Sequence, residues 1–121
     1  MLIKKYDIVL VLLDPTRGSE QKGTRPCLVV QNNEVNKFSR TTVVCPFTTT
    51  LKDYFFHVKV LPSRENGLIQ PSALDLLQIR TVDKERIVRT VGVLEFSYRE
   101  IFRNAFLESF DVDDHFAGDA S

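Results

Sequence analysis

The chain alternates short apolar runs with polar segments that are rich in Gly, Pro, Asn and Asp. Apolar runs of this length with many β-branched residues are typical of strands, and the polar segments between them mark turns. Pro26 has no N–H to donate to a ladder, so it fits the first residue of the second run. The pattern predicts strands over residues 6–13, 26–31, 41–47, 55–61, 74–81 and 87–93.

A helix is predicted after the last of these strands. Ser97 and Glu100 have the spacing of a capping box, and Phe96 and Ile101 have that of a hydrophobic staple. Residues 83–86 predict one further helical turn. Many short strands and one terminal helix indicate a mostly β (α+β) fold, a small antiparallel barrel with a C-terminal helix. One apolar face is expected on that helix, made of Ile101, Phe102, Ala105 and Phe106.

Length and composition predict a single soluble domain. The chain has 121 residues, of which 43% are apolar, and this is enough for a hydrophobic core. We expect the folded domain to span residues 1–110 and residues 111–121 to form an acidic, disordered tail. No apolar run is long enough to cross a membrane and no signal peptide is recognisable, which predicts a cytoplasmic protein. Cys27 and Cys45 lie inside apolar runs and are expected to be buried, reduced thiols.

The net charge is zero, but the charged residues are unevenly distributed along the chain. Residues 111–121 hold four Asp and no cation, so residues 1–110 carry 16 basic and 12 acidic side chains. This excess permits a basic groove for nucleic acid without requiring one.

The candidate chemistry lies in the polar loop between the first two strands and in the threonines after the third. The chain lacks GxxxxGK[ST], GxGxxG and GxSxG motifs, which leaves nucleoside-triphosphate chemistry, dinucleotide chemistry and a hydrolase triad without support. His57 and His115 share no ligand-like spacing with a cysteine, so no metal site and no cofactor are predicted, and His57 is interpreted as a partly exposed structural residue. The remaining Arg, Thr, Ser, Glu and Gln side chains suit RNA cleavage through the substrate's own 2′-hydroxyl, where the enzyme aligns the phosphate and stabilises its charge.

The residues alone also allow a plain structural interpretation. Arg25 can pair with Glu20 on the surface, and Thr48 and its neighbours can be an ordinary solvated strand end. Composition and spacing therefore stop at a small barrel with polar loops that can contact phosphate.

Four segments resemble the MazF/PemK family of toxins from type II toxin–antitoxin systems. They are DIVLV at residues 7–11, LDPTRGSEQ at 13–21, GTRPCLVVQN at 23–32 and QIRTVDKERI at 78–87. The departures from the family pattern are Tyr6 in place of a frequent glycine, an aromatic segment over residues 52–56, and the acidic tail.

The resemblance implies an SH3-like barrel that forms a homodimer, binds a cognate antitoxin and cleaves single-stranded RNA, often mRNA, without a metal. It identifies Arg25 and Thr48 as catalytic, with the adjacent Thr49 as the alternative to Thr48, and Glu20 is the expected proton acceptor. The predicted RNA-binding residues are Arg17, Ser19, Gln21, Thr49 and Gln78. Two alternatives remain open, a toxin of the same fold that binds DNA gyrase and a non-catalytic RNA-binding barrel.

Overall fold

The computed structural model describes residues 2–13 and 23–112. Seven strands and two α-helices occur in this part of the chain, with two short 3₁₀ turns. The strands are β1 Asp7–Leu12, β2 Thr24–Val29, β3 Thr41–Thr48, β4 His57–Val60, β5 Ser72–Asp75, β6 Arg80–Asp83 and β7 Ile87–Val93. The helices are α1 Asn33–Asn36 and α2 Phe96–Ser109, and the 3₁₀ turns are Leu76–Gln78 and Lys84–Arg86. Neither helix is long and apolar enough to span a membrane.

All strand pairs are antiparallel, and β3 organises the sheet. The order is β4-β5-β3-β2-β1-β7, and β6 also pairs with β3, along the half of the strand that β5 leaves uncovered. The sheet is buried on both faces, as expected for strands made of continuous apolar runs. One core cluster contains Leu28, Cys45 and Phe47 together with Phe102 of α2, and the other contains Cys27, Val29 and Val44. The mostly β fold with a C-terminal helix is therefore confirmed.

Several element boundaries differ from the sequence predictions. The second strand begins at Thr24 rather than at Pro26, because Pro26 occupies an interior position opposite Leu10. Residues 74–81 do not form one strand, since the 3₁₀ turn Leu76–Gln78 separates β5 from β6. Its capping residue is Asp75, whose side chain accepts a hydrogen bond from the N–H of Leu77. The turn predicted over residues 83–86 is confirmed as the 3₁₀ turn Lys84–Arg86, which Asp83 caps.

The predicted start of the terminal helix is wrong. Helix α2 begins at Phe96 with Glu95 at its N-cap and no side-chain capping bond, so Ser97 lies within the helix. Glu95 instead accepts hydrogen bonds from Ser63 and Asn66, which dock the loop between β4 and β5 onto the helix start. Phe96 and Ile101 are largely exposed, and the buried face of the helix is formed by Phe102 and Ala105, with Phe106 packed beside them.

Tyr6, which replaces the family glycine, keeps a glycine-like backbone. Its φ is +79°, in the left-handed region that a bulky side chain rarely adopts. Two backbone bonds hold it there: its N–H donates to Val29 and its carbonyl accepts from Leu94. The ring lies under the guanidinium of Arg99, 4.5 Å from the ring centroid, and this contact offsets part of the strain.

Candidate active site

Arg25 is the second residue of β2 and is half-buried. The β2–β3 ladder pairs Cys27 with Pro46, Leu28 with Cys45 and Val29 with Val44. This ladder ends at Cys27 and Pro46, and Arg25 and Thr48 each lie two residues beyond that last pair. Side chains two residues apart on a strand point to the same side of the sheet, so Arg25 and Thr48 are on the face that bears Cys27 and Pro46.

The hydroxyl of Thr48 is oriented by its own backbone. Thr48 ends β3, and its Oγ1 accepts a hydrogen bond from the N–H of Thr50 at 3.1 Å. A hydroxyl has one proton to donate, and no acceptor for that proton occurs among residues 2–13 and 23–112. The side chain is thus held through its oxygen, which accepts from Thr50, and its O–H is available to donate to a ligand.

Arg80 adds a second guanidinium to the same face. It lies opposite Val44 in the β3–β6 ladder, and Val44 points to the same side of β3 as Pro46 and Thr48. Both cations affect the pKa of the Cys27 thiol. Burial raises the pKa of Cys27 to about 12, and the positive charges of Arg25 and Arg80 act in the opposite direction. A pair of guanidinium groups on one face is an arrangement suited to a phosphate.

A cleft of about 250 Å³ opens beside Thr48. It is lined by Thr48, Thr50, Lys52, Tyr54, Phe56, His57, Asp75, Leu77 and Gln78. The segments that meet here are the ends of β3 and β5, the start of β4 and the 3₁₀ turn before β6, which the β3–β5 and β4–β5 ladders bring together. Lys52 brings positive charge to this cleft, while Asp75 brings a carboxylate.

His57 is less accessible at its side chain than the sequence interpretation suggests. The residue as a whole is partly exposed, as predicted, but only 5% of its side chain is accessible. Its Nε2 lies 3.7 Å from Oδ2 of Asp75, the residue opposite it in the β4–β5 ladder, and its Nδ1 is buried without a hydrogen-bond partner. The rings of Tyr54 and Phe56 pack edge-on against the imidazole and exclude water from it.

The structure brings together only part of the predicted site. Thr48 and Gln78 line the same cleft, and Arg25 shares a face with Thr48. Thr49 is exposed beyond the end of β3 and does not line the cleft. The remaining predicted residues lie outside the described part of the chain: Arg17, Ser19, Glu20 and Gln21.

Sequence reasoning missed Arg80, His57 and Asp75 as members of the site. Arg80 alternates with the buried Val82, a signal that places it on a defined face of a strand but gives no partner. His57 and Asp75 are 18 positions apart, and only the β4–β5 register brings them together. No group of three or more His, Cys, Asp or Glu side chains converges as metal ligands within residues 2–13 and 23–112.

The two cysteines support a direct prediction. Both are free and buried, as expected, and burial raises the pKa of each thiol. Because the thiolate is the reactive species, we expect a thiol reagent to leave both cysteines unmodified in the native protein at neutral pH. In concentrated guanidinium both should react at once. Rapid labelling of either thiol under native conditions, followed by mass spectrometry, would contradict the closed packing around β2 and β3.

Comparisons with known proteins agree with the motifs and the fold. The family model described as "PemK-like, MazF-like toxin of type II toxin-antitoxin system" matches residues 4–110. Endoribonuclease EndoA of Bacillus subtilis is 36% identical over 97 residues, which is 78% of this chain and 83% of that protein.

Solved structures show the same architecture. The Mycobacterium tuberculosis toxin MazF-mt6 superposes with a TM-score of 0.75 at 27% identity, over 89% of this chain and 99% of that one. A mycobacterial endoribonuclease in complex with its cognate antitoxin has a TM-score of 0.76 at 18% identity, over 93% and 99% of the two chains, a likeness in fold. On the strength of the family match along almost its whole length, the chain belongs to the PemK-like, MazF-like toxins of type II toxin–antitoxin systems.

Proposed function

We propose that this toxin is a metal-independent endoribonuclease that cleaves single-stranded RNA at short sequences, using the 2′-hydroxyl of the substrate as nucleophile. The observation that supports the proposal is the β2–β3 ladder, because Arg25 and Thr48 lie two residues beyond its last pair, Cys27 and Pro46, and on the same face of their strands. Family membership and the relative named as an endoribonuclease support the same reaction.

In this mechanism the substrate supplies the nucleophile, so the protein has to position the phosphate and stabilise its charge. The 2′-oxygen attacks phosphorus, the bond to the 5′-oxygen breaks, and the products are a 2′,3′-cyclic phosphate and a 5′-hydroxyl. The guanidinium of Arg25 is a planar pair of donors that matches two phosphoryl oxygens of the crowded transition state. The hydroxyl of Thr48, held by Thr50, donates a further hydrogen bond to the same phosphate.

Proton transfer completes the proposed reaction. A base must take the proton of the 2′-hydroxyl, and an acid must protonate the departing 5′-oxygen. Glu20 remains the predicted proton acceptor, and Arg25 is the predicted source of the leaving-group proton. The predicted RNA contacts of Arg17, Ser19 and Gln21 belong to the same loop as Glu20.

The direct test uses defined single-stranded RNA in the presence of EDTA. Cleavage should persist, and the upstream product should end in a cyclic or 3′-phosphate. Replacing the 2′-hydroxyl at the cut by hydrogen should abolish cleavage at that site, because the nucleophile is gone, while the RNA continues to bind. Products with a 3′-hydroxyl would contradict the mechanism. Binding of RNA without any product would indicate a non-catalytic barrel, and trapped gyrase–DNA complexes without RNA cleavage would indicate a gyrase poison.

A homodimer and a cognate antitoxin are the proposed partners, in the cytoplasm where mRNA is available. The antitoxin follows from membership of a toxin–antitoxin family. The outer face of the β1–β7 ladder supports self-association, because it exposes Leu12 and Val88 next to the half-buried Leu10. An exposed apolar surface of this kind is typical of a face that another chain covers.

A further inference from the structure

The cleft beside Thr48 contains groups that the proposed mechanism does not use. Thr48 orients the phosphate and Gln78 is a predicted RNA contact, but Tyr54, His57 and Asp75 have no part in the cleavage step. They line the same cleft, whose volume of about 250 Å³ is large enough for a single nucleobase. Their arrangement indicates what the cleft recognises.

One wall of the cleft is aromatic. The rings of Tyr54 and Phe56 are stacked, with centroids 4.7 Å apart and an angle of 20° between their planes. Tyr54 is 48% exposed, so part of its surface remains available to a ligand. Bases of single-stranded RNA bind to such faces by stacking, and every base can do so. The aromatic wall therefore accounts for binding a base but not for choosing one.

Asp75 supplies the selective element. Its Oδ1 already accepts the N–H of Leu77 at 3.2 Å, whereas its Oδ2 accepts no hydrogen bond from any described residue. The carboxylate is about one-fifth exposed, at 21%, and it lines the cleft. An ionised carboxylate can only accept, so Oδ2 can take a hydrogen bond from water or from a donor on a ligand that occupies the cleft.

His57 fixes the direction of this acceptor. Its imidazole is nearly inaccessible and sits behind Oδ2 at 3.7 Å, too far for a good hydrogen bond but close enough to limit the rotation of the carboxylate. His57 borders the cleft, but its side chain is almost inaccessible and its Nδ1 is buried, so we assign it no direct bond to the base. It acts as a positioning residue for Asp75.

We propose that Asp75 is a specificity-determining residue: the cleft takes one unstacked base of the RNA, and Oδ2 of Asp75 accepts a hydrogen bond from the exocyclic amine of that base. The inference rests on the proposed function, since the base belongs to the RNA whose phosphate Thr48 contacts. Adenine, cytosine and guanine each carry an exocyclic amine. Uracil has no exocyclic amine. Its donor on that edge, N3–H, lies between two carbonyl oxygens whose lone pairs would face the carboxylate, so uracil should be disfavoured at this position.

The test separates base recognition from cleavage. A randomised single-stranded RNA pool with 2′-fluoro riboses, which cannot be cut through a 2′-hydroxyl, is bound to the protein, and the retained molecules are sequenced. One position of the selected motif should exclude uracil by about tenfold, the range of a good polar base contact. Asp75→Asn should reduce this exclusion to less than twofold, because an amide can accept from an amine or donate to a carbonyl.

Two controls sharpen the outcome. Asp53→Asn alters a carboxylate on the loop between β3 and β4 that is 92% exposed and does not line the cleft, and it should leave the exclusion unchanged. The second control uses the unaltered protein and an RNA whose selected base lacks only its amine. Binding should weaken by about tenfold, and this result does not depend on the folding of a variant.

Retention of the full uracil exclusion in folded Asp75→Asn, or the absence of any such position in the motif, would overturn the inference. Failure of the proposed function looks different. In that case natural RNA is not cut, yet the 2′-fluoro pool still shows a uracil exclusion that depends on Asp75.

Discussion

Arg25→Ala is expected to lower the rate of RNA cleavage by at least a hundredfold. In the proposed mechanism Arg25 supplies the paired donors that neutralise the charge developing on the phosphoryl oxygens, and loss of one such donor typically costs about 3–4 kcal/mol of transition-state stabilisation. Arg25→Lys should recover only a small part of the rate, because an ammonium keeps the charge but lacks the planar fork. Single-turnover cleavage of a short RNA, at saturating protein, measures the chemical step without the effect of weaker binding.

The matched control is Arg40→Ala. Arg40 is 84% exposed and pairs with Asp83 at 3.3 Å on the surface, a contact that contributes about 0–1 kcal/mol to stability. Its loss should leave cleavage within about twofold of the original rate. Arg25 is half-buried, so thermal unfolding and circular dichroism of each variant must show a folded protein before rates are compared. Undiminished cleavage by folded Arg25→Ala would remove this guanidinium from the mechanism.

The strands were predictable where a short apolar run rich in β-branched residues lies between polar turn segments. Residues 87–93 form a strand over the predicted range, and β1 and β3 differ from the prediction by one or two residues. The strand predicted over 74–81 failed because Asp75 caps a 3₁₀ turn in the middle of an apolar segment, and hydrophobicity alone does not register such a cap. The capping box at Ser97 failed because Glu95 is held by Ser63 and Asn66, contacts with a loop that is distant in sequence.

The candidate site was proposed where a motif carried it. Arg25 and Thr48 are predicted from the resemblance and stay predictions, and their place on one face, two residues beyond the last β2–β3 pair, gives a physical reason for linking them. His57 and Asp75 belong to no motif, and each appears unremarkable within its own strand. Their relation depends on which residues of β4 and β5 face each other, and register is a tertiary property that a single sequence does not reveal.

The loop between β4 and β5 holds these two strands in place by docking on β7. Its Asn66 is fully buried, and the carbonyl of Glu65 accepts a hydrogen bond from the N–H of Val93 at 2.9 Å. The β1–β7 ladder shifts register after Gly92, so that Val91 has no partner in β1. The carbonyl of Val91 approaches Gly67, whose φ is +73°. Gly67 and Gly92 therefore allow the backbone of the loop between β4 and β5 to lie directly against the backbone of β7.

Gly92→Ala is expected to destabilise the protein by about 3 kcal/mol, the upper part of the range for overpacked sites. A Cβ on Gly92 would lie 2.4 Å from the carbonyl carbon and oxygen of Asn66 and 2.5 Å from the oxygen of Glu65. These are backbone atoms held by hydrogen bonds, so they cannot rotate away as a side chain could. In a chain of this size the loss corresponds to a fall in Tm on the order of 10 °C. Chemical denaturation gives the free energy of unfolding, and thermal denaturation gives the Tm.

Gly23→Ala is the matched control, because nothing lies within 4 Å of a Cβ built there and its φ is not positive. It should change the free energy of unfolding by less than about 1 kcal/mol, with a small gain if the unfolded chain becomes less flexible. Equal stability of Gly92→Ala and Gly23→Ala would mean that the loop is free to lift from β7. The cleft beside Thr48 would then lack the rigid support that β4 and β5 require to keep His57 behind Asp75, and base selection would have to arise elsewhere on the protein.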